Sequence, residues 1–457
     1  MRFRSLTAFW RTGAIGAAGV IAFAVTAPAV RAQNPAPVDI ESFTLPNGLT
    51  VHMVEDHSSQ VVAVNVWYNV GSRNEVEGRT GFAHLFEHMM FSGSAHAADG
   101  LHRQLIERAG GLINGSTQPD KTDYYEVIPS NRLNLALWLE ADRMRGLRIT
   151  EENMRVQQEA VKEERRLRID NQPYTGALVD SLPLMFDRER CFAYAHSMIG
   201  SIEDLNAASV DDVKAFFDLY YAPNNATIVL VGDLDRARTR AMITDWFSGI
   251  PRGEAPPPVT CEVDRSSGKV VKRVQDPNAT LPAVLTAYRT VSPSHADFPA
   301  LELLSTILGI GESSRLNRSL VRDSKVAVAA QALNNPYGPM RAAGIFGVLA
   351  IANQGVSADS LNTQLQREVL ASTEAITADE LTKAKNSWRS QTIFGRQQAL
   401  ALSEAVQHAA MFLGSPSAVN TDARRYSAVT LADLRRVART YLQPENSFTL
   451  LIVPEGR

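Results

Sequence analysis

The chain has 457 residues, of which 45% are hydrophobic and 21% charged, with a formal net charge of -3. This is too long for one typical domain, and the composition is that of a folded globular protein, not of a fibrous or disordered one. No run of basic residues occurs, which makes nucleic acid an unexpected partner.

Taken in chain order, the first segment reads as a leader. Arg2, Arg4 and Arg11 form a basic region, Gly13 to Val25 is an apolar stretch of small residues, and Val30-Arg31-Ala32 is a small-residue cleavage site. The apolar stretch is short for a membrane span. A Sec-type signal peptide over residues 1–32 is therefore expected, cleaved after Ala32, with a periplasmic or secreted product and no membrane span once it is removed. Retention as an anchor is the alternative. Cleavage removes four arginines and no acid, so the net charge of -3 falls by four to -7.

A glycine-containing stretch from Gly71 to Gly81 leads into His84-Leu85-Phe86-Glu87-His88. On a helix, His84 and His88 are four apart and leave one face together, so both imidazoles can reach a single ion. Glu87 lies on that face as well, placed to hold a water and take its proton. H-x-x-E-H is the inverzincin arrangement, and zinc suits it, since imidazole is a good ligand and a catalytic site takes three protein ligands with one position left open. Two satisfied core histidines are the plainer alternative. The helix continues as Met89-Met90-Phe91 and reads as buried, where two histidines and a carboxylate need partners that a metal supplies.

Asn114 to Thr117 read as a strand, which as a plain edge carries no special chemistry. Residues 150–170 read as a long helix, started by Thr150-Glu151-Glu152 and stopped by Asp170-Asn171-Gln172-Pro173. Within it Glu164 shares a face with Gln157, Ala160 and Val161, which makes it the candidate third ligand. Taken alone, this helix reads instead as a solvated charge run with Glu164 paired to Arg168 at i+4.

The chain is built twice. Asp212 through Tyr220, Pro223 and Asn225, then the apolar run Thr227–Val231, resembles Asp433 through Tyr441, Pro444 and Asn446, then Phe448–Val453, at a constant offset of 221 residues. Ile149-Thr150-Glu151-Glu152 likewise resembles Ile376-Thr377-Ala378-Asp379. Two homologous domains follow, over 33–250 and 263–457, joined by a stiff Pro-rich linker at 251–262. Irregular alternation of strands and helices suits an α+β fold with helices packed on a sheet. The second copy has no H-x-x-E-H, and Gln391 stands where Glu164 does, so catalysis belongs to the first.

The other histidines, His52, His57, His96, His102, His196, His295 and His408, show no ligand spacing and read as structural or surface groups. Cys191 and Cys261 either pair or stand as two isolated thiols; sequence does not place them within bonding distance.

Together these motifs resemble the pitrilysin/insulinase family of zinc peptidases. That family carries H-x-x-E-H and a ligand glutamate a little over seventy residues on; here the gap from His88 to Glu164 is 76 residues. Leu45–Leu49, Val66–Glu75, Gly81–Phe91, Gly110–Thr117 and Tyr220–Asn225 are similar to its other signatures, so the resemblance covers essentially the whole mature chain. It implies two domains of one α+β fold, each a mainly antiparallel sheet with helices on it. It implies one zinc per chain, held by His84, His88 and Glu164, with Glu87 as general base, and an edge at Asn114, Gly115, Ser116 and Thr117 that pairs with the substrate backbone.

Two positions depart from the pattern. Gln157 stands where some members have a further glutamate. Arg322 matches an arginine that holds substrate carbonyls, but Ala329 stands where its partner tyrosine would be; a solvated helix residue is the equal alternative for Arg322. The expectation is a zinc endopeptidase acting on peptides or unfolded segments. It works either with a homologous subunit supplying the arginine–tyrosine pair or as a homodimer. A catalytically silent assembly subunit and a dedicated processing peptidase for one precursor are the alternatives.

Overall fold

Runs of β-branched and apolar residues build two sheets, seen in a computed structural model that describes residues 36–264 and 268–456; the expected leader over 1–32 lies outside the described residues. The first sheet contains β1 (Glu41–Thr44), β2 (Thr50–Glu55), β3 (Val61–Tyr68), β4 (Leu112–Thr117), β5 (Thr122–Pro129) and β6 (Ala226–Gly232). Its order is β1-β2-β6-β3-β5-β4. The second contains β7 (Val270–Asp276), β8 (Ala283–Thr290), β9 (Ala327–Asn334), β10 (Gly344–Ala352) and β11 (Ser447–Pro454), in the order β7-β11-β8-β10-β9. Without β1 the two orders are the same, and each sheet has one parallel pair at the matching place, β2 with β6 and β7 with β11. All other pairs are antiparallel. The fold is α+β, in two homologous halves.

The repeated residues do the same work in both copies. Asn225 Nδ2 donates to the Tyr220 carbonyl at 2.8 Å, and Asn446 Nδ2 donates to the Tyr441 carbonyl at 2.8 Å. Each of these asparagines therefore locks the turn between a helix and the central strand that follows it. Ser209 with Asp212 and Thr430 with Asp433 form reciprocal capping boxes at the starts of those helices.

Between β3 and β6 the chain forms α1 (Phe82–Met89), α2 (Leu101–Arg108), α3 (Leu133–Arg145) and α4 (Glu151–Arg165), which cover one face of the first sheet. Its other face is covered from the second half: Leu402, Val406 and Ala409 on the helix Ala399–Phe412 pack on Val54, Val229 and Val231. The exchange is reciprocal. Leu182, Met185, Phe186 and Tyr194 of the first half pack on Leu285, Phe448, Leu450 and Ile452 of the second sheet. Central strands covered on both faces lose the alternation of a half-exposed strand, as the continuous burial along β8 shows. Pro37–Arg457 thereby forms one compact unit. Among the described residues no helix is long and apolar enough to cross a membrane.

Cys191 and Cys261 form a disulfide across 70 residues, which resolves their open reading as a pair. It ties the segment that covers the second sheet to residues 251–264, which carry neither helix nor strand. Closing so long a loop restricts the unfolded chain. Cys191→Ser or added reductant should lower unfolding stability by about 2–4 kcal/mol. Thermal melts with and without reductant check this; an unchanged midpoint would mean that the link does not hold the fold.

Candidate metal centre

The helix α1 buries Phe82, Leu85, Phe86 and Met89 in the first core, and Phe86 packs on Phe217 and Tyr221. This fixes its rotation and leaves His84 and His88 on the opposite, half-buried side. The start of α1 is held in two ways. Glu75 accepts from the Gly81 and Ala83 amides, at 2.9 and 2.8 Å, which satisfies two of the free N–H groups of the first turn. Gly81 has φ 87°, and a Cβ there would lie 2.6 Å from the Ile199 carbonyl oxygen, so only glycine allows this close approach.

On α4, Thr150 Oγ1 accepts from the Asn153 amide and Glu151 and Glu152 occupy the first turn, both favourable at a helix N-terminus. Met154 and Val161 are buried. Glu164 lies one turn past Val161 on the same side, and this brings it to α1. Its Oε2 is 3.2 Å from His88 Nε2 and 3.8 Å from His84 Nε2. Its Oε1 accepts from Arg168 at 2.6 Å. One oxygen of this carboxylate is thus paired within the helix and the other is turned to the histidines.

The ligand atoms of His84, His88 and Glu164 all lie within 4.8 Å of one another. In a tetrahedral site with bonds of about 2.1 Å, ligand atoms stand roughly 3.4 Å apart. The 3.2 and 3.8 Å separations bracket that value. Burial, reinforced by His88, pulls the His84 pKa down to about 4, so its imidazole is neutral at pH 7 as ligation requires. Hydrogen bonding to His88 holds Glu164 below the usual carboxylate range, ionised. His84 Nδ1 is buried without a partner among the described residues. Two imidazole nitrogens and one carboxylate oxygen in this spacing fit zinc.

Glu87 is beside the triad but outside it. Its Oε2 accepts from Thr117 Oγ1 at 2.7 Å, and burial pushes its pKa up to about 6 against that hydrogen bond. Gly115 makes room for it: a Cβ there would stand 3.3 Å from Glu87 Cγ. The strand β4 pairs only with β5 among the described residues, so its second edge is open along Asn114, Gly115, Ser116 and Thr117, with Asn114 exposed. Arg322 lies far along the chain in the helical turn Asn317–Asp323 and is exposed; Ala329 is exposed on β9, the matching edge of the second sheet. Gln391 is exposed on the helix Ala378–Gly395.

Three features were beyond the sequence motifs. Glu75 caps the metal-side helix from six and eight residues away, a spacing with no local signature. The His196 side chain is 4% exposed and its Nδ1 stands 3.4 Å from Glu75 Oε2. His102, Glu126 and Glu140 meet in a second buried group with Arg143. Burial pushes both glutamates up to about 7, so with Arg143 the group reads as a largely neutralised internal network beneath β5.

A family model described as insulinase, peptidase family M16, matches residues 50–181, and one described as the peptidase M16 inactive domain matches residues 207–387. Together they cover more than half of the chain. The chain belongs to the pitrilysin/insulinase (M16) peptidase family. The insulinase model spans His84, His88 and Glu164, while no comparable group occurs beyond Glu164 among the described residues.

Relatives have names that agree. The chain is 29% identical over 429 residues to the zinc protease PqqE of Helicobacter pylori, covering 91% of this chain and 93% of that one. It is 23% identical over 415 residues to a probable mitochondrial-processing peptidase subunit beta of Arabidopsis thaliana, covering 87% and 75%. The crystal structure of a protease from Helicobacter pylori aligns with a TM-score of 0.85 at 27% identity, over 91% of this chain and all of that one. Relatives are thus named as zinc proteases and processing peptidases.

Proposed function

We propose that this protein is a zinc endopeptidase that cleaves peptides or unfolded protein segments. The carrying observation is the convergence of His84, His88 and Glu164 next to a carboxylate, Glu87, that ligates nothing and is held by Thr117. His84, His88 and Glu164 hold one zinc per chain. When bound there, zinc supplies Lewis acidity to a water and to the scissile carbonyl. Glu87 takes the proton of the attacking water and returns it to the leaving amine. Substrate backbone pairs with the open edge of β4 at Asn114–Thr117, which aligns its carbonyl with the metal side of α1. Of the alternatives, a silent assembly subunit is disfavoured because His84, Glu87, His88 and Glu164 are all present in the sequence. A single dedicated precursor remains compatible with the same chemistry.

The protein acts in the periplasm or after secretion, with residues 1–32 as its leader, and with a second homologous subunit. Arg322 meets substrate carbonyls in that assembly. Ala329 leaves it without the tyrosine partner, so a heteromer fits better than a homodimer, which would lack the tyrosine twice. The test uses the purified mature chain and a quenched fluorescent peptide. Cleavage should be lost on chelation and return with zinc, and it should be weak for the chain alone in light scattering and rise when a homologue bearing the arginine–tyrosine pair is added. Cleavage that survives complete zinc removal overturns the zinc reading. Full activity of the isolated chain overturns the heteromer.

A further inference from the structure

The duplication places a second cavity in the other half. Helix Phe298–Gly309 follows β8 as α1 follows β3, and helix Ala378–Gly395 repeats α4, with Gln391 standing for Glu164. Beside α1 and α4 lies a cavity of about 280 Å³ that has His84 and Glu164 in its wall. Its counterpart in the second half measures about 310 Å³ and has Glu302 and Gln391 in its wall. The metal ligands are gone and the space is kept. We propose that this second cavity binds a small zwitterion, of the size of a free amino acid or a dipeptide, by its ammonium and its carboxylate. The proposal goes beyond the peptidase reading and does not depend on it.

The negative groups are Glu302 and Asp422. One oxygen of Glu302 accepts from the Tyr426 hydroxyl, and Oδ1 of Asp422 pairs with Arg425 at 3.0 Å. In each, the second oxygen is left over. Burial, with Asp422 adding to it, pushes the Glu302 pKa up, and burial pushes Asp422 up against the nearby arginines. Both carboxylates are short of positive charge, which an ammonium supplies. A metal ion alone does not fit, because Glu302, His408 and Asp422 do not converge as His84, His88 and Glu164 do. His408 adds no charge, since burial pulls its pKa down to about 4.

The positive group is Arg396, the only arginine or lysine in the wall among the described residues. Its Nη2 donates to the Val419 carbonyl, while its Nε is buried without a partner among the described residues. A buried donor left unpaired is costly, and a ligand carboxylate satisfies it with a charge-assisted bond. With Asp422 paired to Arg425, Glu302 and Arg396 remain as one charge of each sign. A ligand with one charge of each sign matches them. A plain cation or anion leaves one of the two unmatched.

Much of the remaining wall is apolar and held in place. Ala401, Ala405 and Ala409 recur every fourth residue on helix Ala399–Phe412, and their small side chains leave the space open. Trp388 stacks on Tyr426, with ring centroids 3.9 Å apart and planes 15° apart. Tyr426 is also the residue that holds Glu302, so ring and carboxylate are positioned together before any ligand arrives. A cavity of about 150 Å³ already accommodates a benzene ring, so this one has room for a side chain beside the two charged ends.

The experiment is calorimetric titration of the full chain, zinc-loaded and zinc-free, with leucine and with alanyl-leucine. Each is compared with its N-acetyl form, which lacks the ammonium, and its amide form, which lacks the carboxylate. Saturable binding of at least one parent compound is expected, with the same affinity in both zinc states. Either block should weaken it by about 10-fold or more. Glu302→Gln, which still accepts from Tyr426, should weaken the parent compound by about 10-fold and leave the N-acetyl form as it was. Arg396→Gln should weaken the parent compound and leave the amide form as it was. Ala401→Leu, which fills the cavity from a half-buried position, should abolish binding. If Arg396→Gln does not fold, the blocked compounds still decide. Absence of saturable binding, equal binding of parent and blocked forms, or binding that survives Ala401→Leu overturns the proposal. Binding that requires zinc places the ligand at the triad and overturns it as well. None of these outcomes bears on whether the triad cleaves peptides.

Discussion

Glu87→Gln should keep its zinc and lose turnover by roughly 10²-fold or more. The two halves of this result come from different features of the site. Zinc stays because Glu87 is outside the group of converging ligand atoms, which His84, His88 and Glu164 form without it. Turnover falls because an amide cannot take the proton of the attacking water. Glutamine keeps the shape of the side chain, still accepts from Thr117 Oγ1 through its carbonyl oxygen and still fits over Gly115. The loss therefore reports the missing base and not a collapsed site. Elemental analysis for zinc and a progress curve on one quenched peptide suffice. If the variant turns over at the wild-type rate, Glu87 is not the base, whatever the metal content.

How much of this was legible beforehand depends on the range over which each residue acts. The i, i+4 histidines and Glu87 are local geometry, and α1 places them as their spacing implies. The duplication was legible for the same reason: Asn225 and Asn446 act on carbonyls five residues back, so the demand that retains them is written nearby. Glu164 is less local. Its helix and buried face follow from Thr150, Met154 and Val161, but which partner each oxygen takes depends on where α4 meets α1, and spacing alone favoured Arg168. The rest is long-range. An apolar helix such as Ala399–Phe412 announces that it must be covered, not that its partner is the sheet of the other half. Cys191 and Cys261 give no sign of their proximity across 70 residues. The wall of the second-half cavity combines Glu302, Arg396 and Asp422, which share no pattern in the chain.

Removing a ligand should have the broader effect. His84→Ala and Glu164→Gln should each lose most of the zinc together with the activity, because a catalytic site has only three protein ligands and two do not hold the ion in competition with water. Glu164 needs a control, since its carboxylate also binds Arg168, and a loss through helix α4 would look the same in an activity assay. Arg168→Ala provides it. That change removes the contact at Oε1 and leaves Oε2 facing His84 and His88. The Arg168 side chain is 78% exposed, so the pairing is screened and contributes on the order of 0–1 kcal/mol. Zinc content in Arg168→Ala should therefore stay near one per chain, while Glu164→Gln, with its i+4 hydrogen bond still available through the amide oxygen, should lose it. Equilibrium dialysis against zinc, with circular dichroism to confirm that α4 still forms, separates the two. Full zinc occupancy in Glu164→Gln would remove Glu164 as the third ligand and leave the two histidines needing a different oxygen.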